Sequence, residues 1–192
     1  MATATATQLA RPKPRRLLTY AELAAEFEET NLPTELWDGE IVMSPSPKPN
    51  HQTVVARLWE SLREFVTPRQ LGQAFLAPLD VVLGPRQCVQ PDVVFVARAR
   101  ENIIQNHIAG APDLAAEVIS AGSWRRDRVD KKALYEQHGV KEYWILDPDA
   151  RTIEVFALVK GAYQLHSRAT GAKAAKSRLL SGFEVSFNEL EV

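Results

Sequence analysis

The sequence predicts one α/β or α+β domain in which helices pack on a mixed β-sheet. Runs with the periodicity of amphipathic helices alternate with short apolar runs typical of buried strands, in the order helix, hairpin, helix, several strands, helix, strand, hairpin. No repeat is visible, and 192 residues suffice for one hydrophobic core. We therefore expect residues 18–192 to form a single domain and residues 1–17 to form a flexible basic tail.

The composition narrows the class of protein. Hydrophobic residues make up 45% of the chain and charged residues 24%, as in soluble globular proteins. The formal net charge of −1 argues against a nucleic-acid-binding surface spread over the whole protein, although local basic patches can still bind nucleic acid. Cys88 has no cysteine partner, and no apolar run approaches the roughly 20 residues of a membrane span. We expect a cytoplasmic protein without membrane association.

The N-terminal elements carry recognisable start and turn signals. In LLTYAELAAEFEE, Thr19 and Glu22 have the spacing of a capping box, which predicts a helix that ends before Pro33. In ELWDGEIVM, Asp38 and Gly39 predict the turn of a β-hairpin.

The run HQTVVARLWESLREFV predicts an amphipathic core helix. Its apolar residues recur at helical spacing. They are Val54, Val55, Leu58, Trp59, Leu62 and Phe65. We expect Asn50 to cap this helix, and His51 beside it to have a capping or surface role.

The middle of the chain predicts several strands. QAFLAPLDVVL and CVQPDVVFVA read as the two arms of a hairpin that turns at Gly84-Pro85-Arg86. The polar segment 97–110 predicts a helical connection, and APDLAAEVIS predicts another buried strand.

The C-terminal half predicts a helix, a strand and a hairpin. The charged run SWRRDRVDKKALYEQHG predicts a helix that ends at Gly139. VKEYWILDP predicts a core strand containing Tyr143 and Trp144, and TIEVFALVKGAYQLHSR predicts a hairpin with Gly161 in its turn.

Two acidic residues lie in predicted core strands. Asp92 begins one strand, and Glu117 lies inside another, on the same face as Ala115 and Ile119. A carboxylate in such surroundings is costly unless it is hydrogen-bonded, paired or bound to a metal. Two neighbouring carboxylates would repel each other, and a divalent cation such as Mg²⁺ would remove that repulsion. A structural hydrogen-bonding role for each acid is the alternative.

Asp127 and Lys131 are four residues apart in the charged helix and therefore lie on one face. Spacing alone favours a solvent-facing ion pair worth roughly 0.3–0.5 kcal/mol. The alternative is a lysine placed beside the two carboxylates, where it could stabilise charge on a phosphate oxygen.

Four segments in order resemble the Uma-two family of predicted restriction endonucleases, a branch of the PD-(D/E)xK nuclease superfamily. They are ELWDGEIVMSPSPKPNH, QPDVVFVA, PDLAAEVIS and DRVDKKALYEQHGVKEYWILDP, and the resemblance covers residues 18 to 160. It implies a restriction endonuclease-like fold, with a mixed four-stranded sheet, extra strands and flanking helices.

The resemblance also implies an activity and its residues. Asp92 and Glu117 would bind Mg²⁺ or Mn²⁺, and a lysine would help to hydrolyse a DNA phosphodiester bond. The usual lysine position holds Ile119, so the resemblance points to Lys131 from the next helix.

Further residues are candidates for supporting roles. Glu40 resembles an acid that some superfamily members contribute as an extra metal ligand, although it could equally be a hairpin carboxylate. Asp80 would join the acidic cluster or serve as a cross-strand partner, and Asp127 would orient Lys131.

Basic residues near the predicted site would hold the DNA backbone. They are Arg125, Arg126, Arg128 and Lys132. A homodimer would suit the cutting of two strands. The alternative function is a catalytically silent nucleic-acid-binding or regulatory protein that retains the nuclease fold.

Overall fold

The elements follow the predicted order. The computed structural model describes residues 16–26, 34–43, 46–120 and 122–191. Its strands are β1 Thr34–Trp37, β2 Glu40–Met43, β3 Gly72–Leu76, β4 Val81–Gly84, β5 Gln87–Val89, β6 Val93–Ala97, β7 Ile108–Ala109, β8 Leu114–Val118, β9 Glu142–Asp147, β10 Thr152–Val159, β11 Ala162–Thr170, β12 Ala174–Lys176 and β13 Glu184–Ser186. Its helices are α1 Tyr20–Glu26, α2 Pro49–Val66, a 3₁₀ helix Arg98–Ile103, a π-helical segment Arg126–Lys131 that continues into α3 Lys132–Gln137, and α4 Phe187–Leu190.

A central mixed sheet carries the core. Its strand order is β11-β10-β9-β8-β6-β3, with β8 and β9 parallel and the other neighbours antiparallel. Every residue of β8 is buried, as expected for a strand covered on both faces. Ala116 and Val118 belong to the core under α2, whereas Ala115 and Ile119 belong to the core on the opposite face, so the predicted alternation is confirmed.

Helix α2 covers one face of this sheet. Its predicted apolar stripe is confirmed, and Trp59 and Phe65 pack at the margin of the same core. The helix begins at Pro49, with Lys48 at the N-cap, so the prediction that Asn50 caps it is wrong. Proline is well suited to the first helical position because its φ is already helical and it has no N–H to leave unsatisfied.

A second sheet, β2-β1-β5-β4-β7, contains the predicted N-terminal hairpin. Asp38 and Gly39 form the turn with φ of 49° and 90°, as a two-residue hairpin loop with two left-handed residues requires. The predicted turn at Gly84-Pro85-Arg86 joins β4 to β5.

The arms of that second hairpin differ from the prediction. Each arm is divided between the two sheets: β3 pairs with β6 in the central sheet, whereas β4 pairs with β5 in the second sheet. The divisions fall at Pro78 and at Pro91, since proline has no N–H to donate to a strand ladder. The segment 97–110 is also only partly helical, because β7 follows the 3₁₀ helix.

The N-terminal region is only partly described. The capping box is confirmed, since the Thr19 N–H donates to Glu22 Oε2 at 2.8 Å and the Glu22 N–H donates to Thr19 Oγ1 at 3.3 Å. Residues 1–15 of the predicted tail, and Pro33, lie outside the described residues. No helix within the described ranges is long and apolar enough to cross a bilayer.

The C-terminal segment is attached to the central sheet through Glu142. This residue is fully buried at the start of β9. Its carboxylate accepts hydrogen bonds from the Trp144 indole at 2.7 Å, the Ser177 hydroxyl at 2.7 Å, and the backbone N–H groups of Arg178 and Leu179 at 2.7 and 2.9 Å. One buried carboxylate therefore satisfies four donors.

We expect Glu142→Ala to lower the free energy of unfolding by about 3 kcal/mol, because several buried donors lose their acceptor. Urea denaturation measures this loss. Glu184→Ala is the control, since Glu184 pairs with Lys176 at the surface at 3.6 Å and should contribute less than about 1 kcal/mol. Equal unfolding midpoints for the two variants would contradict the role of Glu142.

Candidate active site

Three carboxylates surround one lysine at the junction of the two sheets, and a fourth, that of Asp92, lies close enough to Glu117 and Asp127 to raise their pKa. Glu35 lies in β1 of the second sheet, and Glu117 lies in β8 of the central sheet. Asp92 immediately precedes β6, and Asp127 and Lys131 lie in the π-helical segment. The arrangement depends on contacts between distant parts of the chain.

Lys131 is 5% exposed and lies between the two sheets. Its Nζ is 2.9 Å from Glu35 Oε1, 2.9 Å from Glu117 Oε1 and 4.0 Å from Asp127 Oδ1. Burial lowers the pKa of Lys131, but the attraction of Glu117, Glu35 and Asp127 outweighs burial and raises the pKa above its usual value. The ammonium therefore stays charged in the protein interior.

Asp127 and Lys131 do not form the solvent-facing ion pair that their spacing favoured. Asp127 is 3% exposed and Lys131 is 5% exposed, so both side chains point inward. Burial raises the pKa of Asp127, and Asp92 and Glu35 raise it further, against the opposing effects of Lys131 and Ser123. Val129, the hydrophobic residue of the π-helical segment, is instead 51% exposed.

Glu117 has hydrogen-bond donors on one oxygen. Lys131 Nζ and the Tyr135 hydroxyl both donate to Oε1, at 2.9 and 2.8 Å. Burial raises the pKa of Glu117 well above its usual value; Asp127, Asp92 and Glu35 add to the rise, and Lys131 opposes it. Glu117 therefore takes up a proton more readily than an exposed glutamate does.

Asp92 is also held through one oxygen. The Val118 N–H donates to Asp92 Oδ2 at 2.7 Å, which links the start of β6 to the end of β8. His51 Nε2 lies 3.3 Å from the same oxygen. Burial lowers the pKa of His51, but its interaction with Asp92 outweighs burial and raises the pKa.

His51 differs from its predicted capping or surface role. Its side chain is only 18% exposed and contacts Asp92 from the first turn of α2. Its Nδ1 is buried, without a hydrogen-bond partner in the described part of the chain. The start of α2 thus lies against the acidic cluster, a proximity that local sequence does not reveal.

Glu35 is the functional candidate that sequence reasoning missed. Its Oε1 faces Lys131 and accepts the Gln90 N–H at 3.1 Å, and its Oε2 accepts the Trp37 indole N–H at 2.9 Å. Burial raises its pKa, but Lys131 and these hydrogen bonds outweigh burial and lower it overall. The sequence offered one signal for Glu35, namely an acidic residue beside the apolar Leu36 in a short predicted strand.

Glu40 and Asp80 lie in different surroundings. Glu40 is exposed in β2, opposite Trp37 in the hairpin register. Asp80 accepts hydrogen bonds from the Tyr20 hydroxyl at 3.0 Å and from the Gln90 side-chain amide at 2.8 Å. Asp80 therefore links α1 to the second sheet through both of its oxygens. This agrees with the alternative prediction that Asp80 serves as a structural hydrogen-bonding partner.

The four basic candidates lie in different environments. Arg128 pairs with Glu154, and it is 3.9 Å from Asp147. Lys132 Nζ is 3.6 Å from the centroid of the Phe156 ring, and burial lowers its pKa. Arg125 is exposed, and Arg126 is half-buried. Arg125 is therefore the most accessible of the four.

The acidic residues offer oxygen atoms of the kind that hard cations bind. Within the described ranges, the hydrogen bonds given above use Oδ2 of Asp92 and Oε1 of Glu117, and none of them uses the second oxygen of either carboxylate. In the described ranges, no three His, Cys, Asp or Glu side chains are placed to hold a metal by themselves. Hard divalent cations commonly bind one or two carboxylates and complete their shell with water and phosphate oxygens.

Comparison with known proteins places the chain in a family. The Uma2 family model, described as "Putative restriction endonuclease", matches residues 18–188. The chain belongs to the Uma2 family. The resemblance seen in four sequence segments is thereby confirmed, and the family description is that of a nuclease.

A solved structure confirms the fold class of this Uma2 member. It is described as "a putative nuclease belonging to DUF820" from Anabaena variabilis and shares 22% sequence identity with the chain. The TM-score is 0.73, and the alignment covers 90% of this chain and 97% of the other. No curated protein matches by sequence.

We expect Lys131→Met to lower the free energy of unfolding by about 3–5 kcal/mol, since it leaves Glu35 and Glu117 buried without their cation. Adding Glu35→Gln and Glu117→Gln should recover much of this loss. Urea denaturation of both variants tests the expectation. The neighbouring Lys132→Met serves as the control. If Lys131→Met were as stable as Lys132→Met, the buried ion pairs of Lys131 would be weak.

Proposed function

We propose that this protein is a nuclease that hydrolyses DNA phosphodiester bonds with the help of a divalent metal ion. The observation that carries the proposal is the meeting of Lys131 and Glu117 at 2.9 Å, although Lys131 comes from the helix and Ile119 occupies the usual lysine position. A helix-borne ammonium beside Glu117 supports Lys131 as the counterpart of the superfamily's lysine.

Asp92 and Glu117 would hold the metal ion, Mg²⁺ or Mn²⁺, through the oxygens that their hydrogen bonds leave open. Such an ion supplies a Lewis acid and lowers the pKa of bound water. The hydrogen bonds from Val118 to Asp92 and from Tyr135 to Glu117 orient the two carboxylates before any ligand arrives. Oriented carboxylates lose little entropy on binding.

Lys131 would stabilise negative charge on the phosphate and orient the attacking water. Fixed charges in a site that excludes water stabilise a transition state more strongly than the same charges in bulk solvent. Glu35 uses both of its oxygens within the protein, so we assign it to holding Lys131 in place rather than to binding metal. Asp127, 4.0 Å from Lys131, would have a similar orienting role.

The basic candidates contribute unequally to DNA binding in this proposal. Arg125 is exposed and can meet a phosphate directly, whereas the charge of Arg128 is partly offset by Glu154. Arg126 and Lys132 are half-buried, so in this proposal they would contact only a phosphate that comes close to the protein surface. Binding through a few such contacts should weaken as salt concentration rises.

The homodimer expected from the cutting of two strands stays a prediction.

A catalytically silent nucleic-acid-binding or regulatory protein remains the second candidate. It is favoured by the saturation of Lys131, whose Nζ already lies 2.9 Å from two carboxylates, and by the small number of acids placed to bind metal in the described ranges. Metal binding and cleavage separate the two candidates.

Cleavage of plasmid DNA in Mg²⁺ or Mn²⁺ tests the nuclease directly. We expect Asp92→Asn, Glu117→Gln and Lys131→Arg each to lower the cleavage rate about 100-fold or more, because each removes or displaces a group that acts on the reacting phosphate. Asp130→Asn is the matched control, since Asp130 is exposed beside Lys131, and it should cleave at the wild-type rate. Equal cleavage by all of these proteins would mean that the activity belongs to a contaminant or to another site.

Metal binding can be measured without catalysis. We expect Mn²⁺ at 100 times its Kd to stabilise the wild type by about 2.7 kcal/mol, visible as a thermal shift. The double variant Asp92→Asn/Glu117→Gln should lose this shift, and Asp80→Asn should keep it. A shift that persists in the double variant would exclude Asp92 and Glu117 as the ligands.

A further inference from the structure

An exposed indole lies next to the candidate active site. Trp124 is 51% exposed and lies between β8, which carries Glu117, and the π-helical segment, which carries Asp127 and Lys131. A single exposed apolar side chain is common on protein surfaces. Trp124 differs from such residues because its position relative to the site is fixed by several contacts.

The backbone around Trp124 forms a hydrogen-bonded turn. The N–H groups of Ser123 and Trp124 donate to the Ser120 carbonyl at 3.1 and 2.9 Å, and the Ser120 N–H donates to Ser123 Oγ at 3.0 Å. The Asp127 N–H then donates to the Ser123 carbonyl at 3.0 Å. The turn therefore connects the end of β8 to the first residues of the π-helical segment.

The indole ring is held as well. The guanidinium carbon of Arg128 lies 5.7 Å from the ring centroid, within range of a cation–π interaction. Arg128 is itself anchored by Glu154. The ring thus has a fixed neighbour on the protein side, while half of its surface faces solvent.

The distance to the site is short. Ser120 follows Glu117 by three residues, so their Cα atoms are at most about 10 Å apart. Trp124 is hydrogen-bonded to Ser120, and it lies three residues before Asp127, whose Oδ1 is 4.0 Å from Lys131 Nζ. The segment that carries Trp124 is therefore continuous with the segment that carries Asp127 and Lys131.

We propose that Trp124 is a stacking platform for an unpaired nucleobase next to the scissile phosphate, and that the preferred substrate is single-stranded DNA or a duplex with unpaired nucleotides. The inference rests on the proposed nuclease function. An indole face can stack on a base only where the base face is accessible, and the faces are covered inside a continuous duplex. Exposed Arg125 beside Trp124 supplies a phosphate contact, the usual companion of stacking in single-strand binding.

Charge favours nucleic acid over a second copy of the chain at this surface. Arg125, Arg126 and Arg128 lie within four residues of Trp124. In a two-fold contact whose axis passes near Trp124, these arginines, above all the exposed Arg125, would lie near their equivalents and repel, although Glu154 offsets part of the charge of Arg128. A polyanion is attracted to the same arginines.

Binding to dye-labelled oligonucleotides tests the inference. Fluorescence anisotropy would be measured with a thymine oligonucleotide and with a blunt duplex of mixed sequence, in the Glu117→Gln background so that no cleavage occurs. We expect Trp124→Ala to weaken binding of the single strand about 5- to 150-fold, the value of one stacked base. Trp124→Phe should restore most of the affinity, and duplex binding should change less than twofold.

Leu165→Ala is the matched control, since Leu165 is 52% exposed on β11 and should leave both affinities unchanged. Equal weakening of single strand and duplex, or no weakening of either, would overturn the stacking role. A wild type that binds neither oligonucleotide would overturn it as well. If Trp124→Ala instead converted a dimer into a monomer in sedimentation while binding stayed unchanged, the indole would be a subunit contact.

The proposed nuclease function is judged separately, by wild-type cleavage in Mg²⁺ or Mn²⁺. Cleavage with an unchanged strand preference in Trp124→Ala would reject the platform and keep the nuclease. Stacking-dependent binding without wild-type cleavage would keep the platform and favour the silent nucleic-acid-binding protein.

Discussion

The buried ammonium of Lys131 is the interaction on which the candidate site depends. It lies 2.9 Å from Glu35 in the second sheet and 2.9 Å from Glu117 in the central sheet, so one cation joins two sheets and a helix. Buried charges of this kind add little net stability, yet removing one partner is costly. The cluster therefore specifies how the three elements meet, and the same geometry places a positive charge beside the carboxylates proposed to bind metal.

The path of the chain between the sheets explains how these groups meet. Pro78 and Pro91 interrupt two apolar runs and direct each run from one sheet to the other. Asp92 follows Pro91 directly, and its Oδ2 accepts the Val118 N–H at the end of β8. The carboxylate thus lies where the central sheet and the second sheet diverge, close to the start of α2 and His51. The candidate site therefore lies at the boundary between the two sheets, where Pro78 and Pro91 interrupt the strands.

The electrostatics of the site suit a ligand with positive charge. Glu35, Glu117 and Asp127 surround one lysine, Asp92 lies near Glu117 and Asp127, and the pKa values of Glu117 and Asp127 are raised by burial and by the other acids. Bringing a cation to the remaining oxygens would relieve this repulsion, and a phosphate could then approach. A protein that only needed stability would do better with apolar residues at these positions. The clustering of these carboxylates costs stability, and this cost is the physical reason to expect that they have a functional role.

Local signals in the sequence determined the features that involve neighbouring residues. The Thr19–Glu22 capping box, the Asp38-Gly39 turn and the alternation around Glu117 could all be predicted, because each depends on residues within a few positions of one another. The tertiary structure alone decided that Glu35 faces Lys131, that the π-helical segment turns Asp127 inward, and that His51 meets Asp92. These contacts depend on how two sheets and two helices pack. Packing is set by the whole core, and no single segment carries that information.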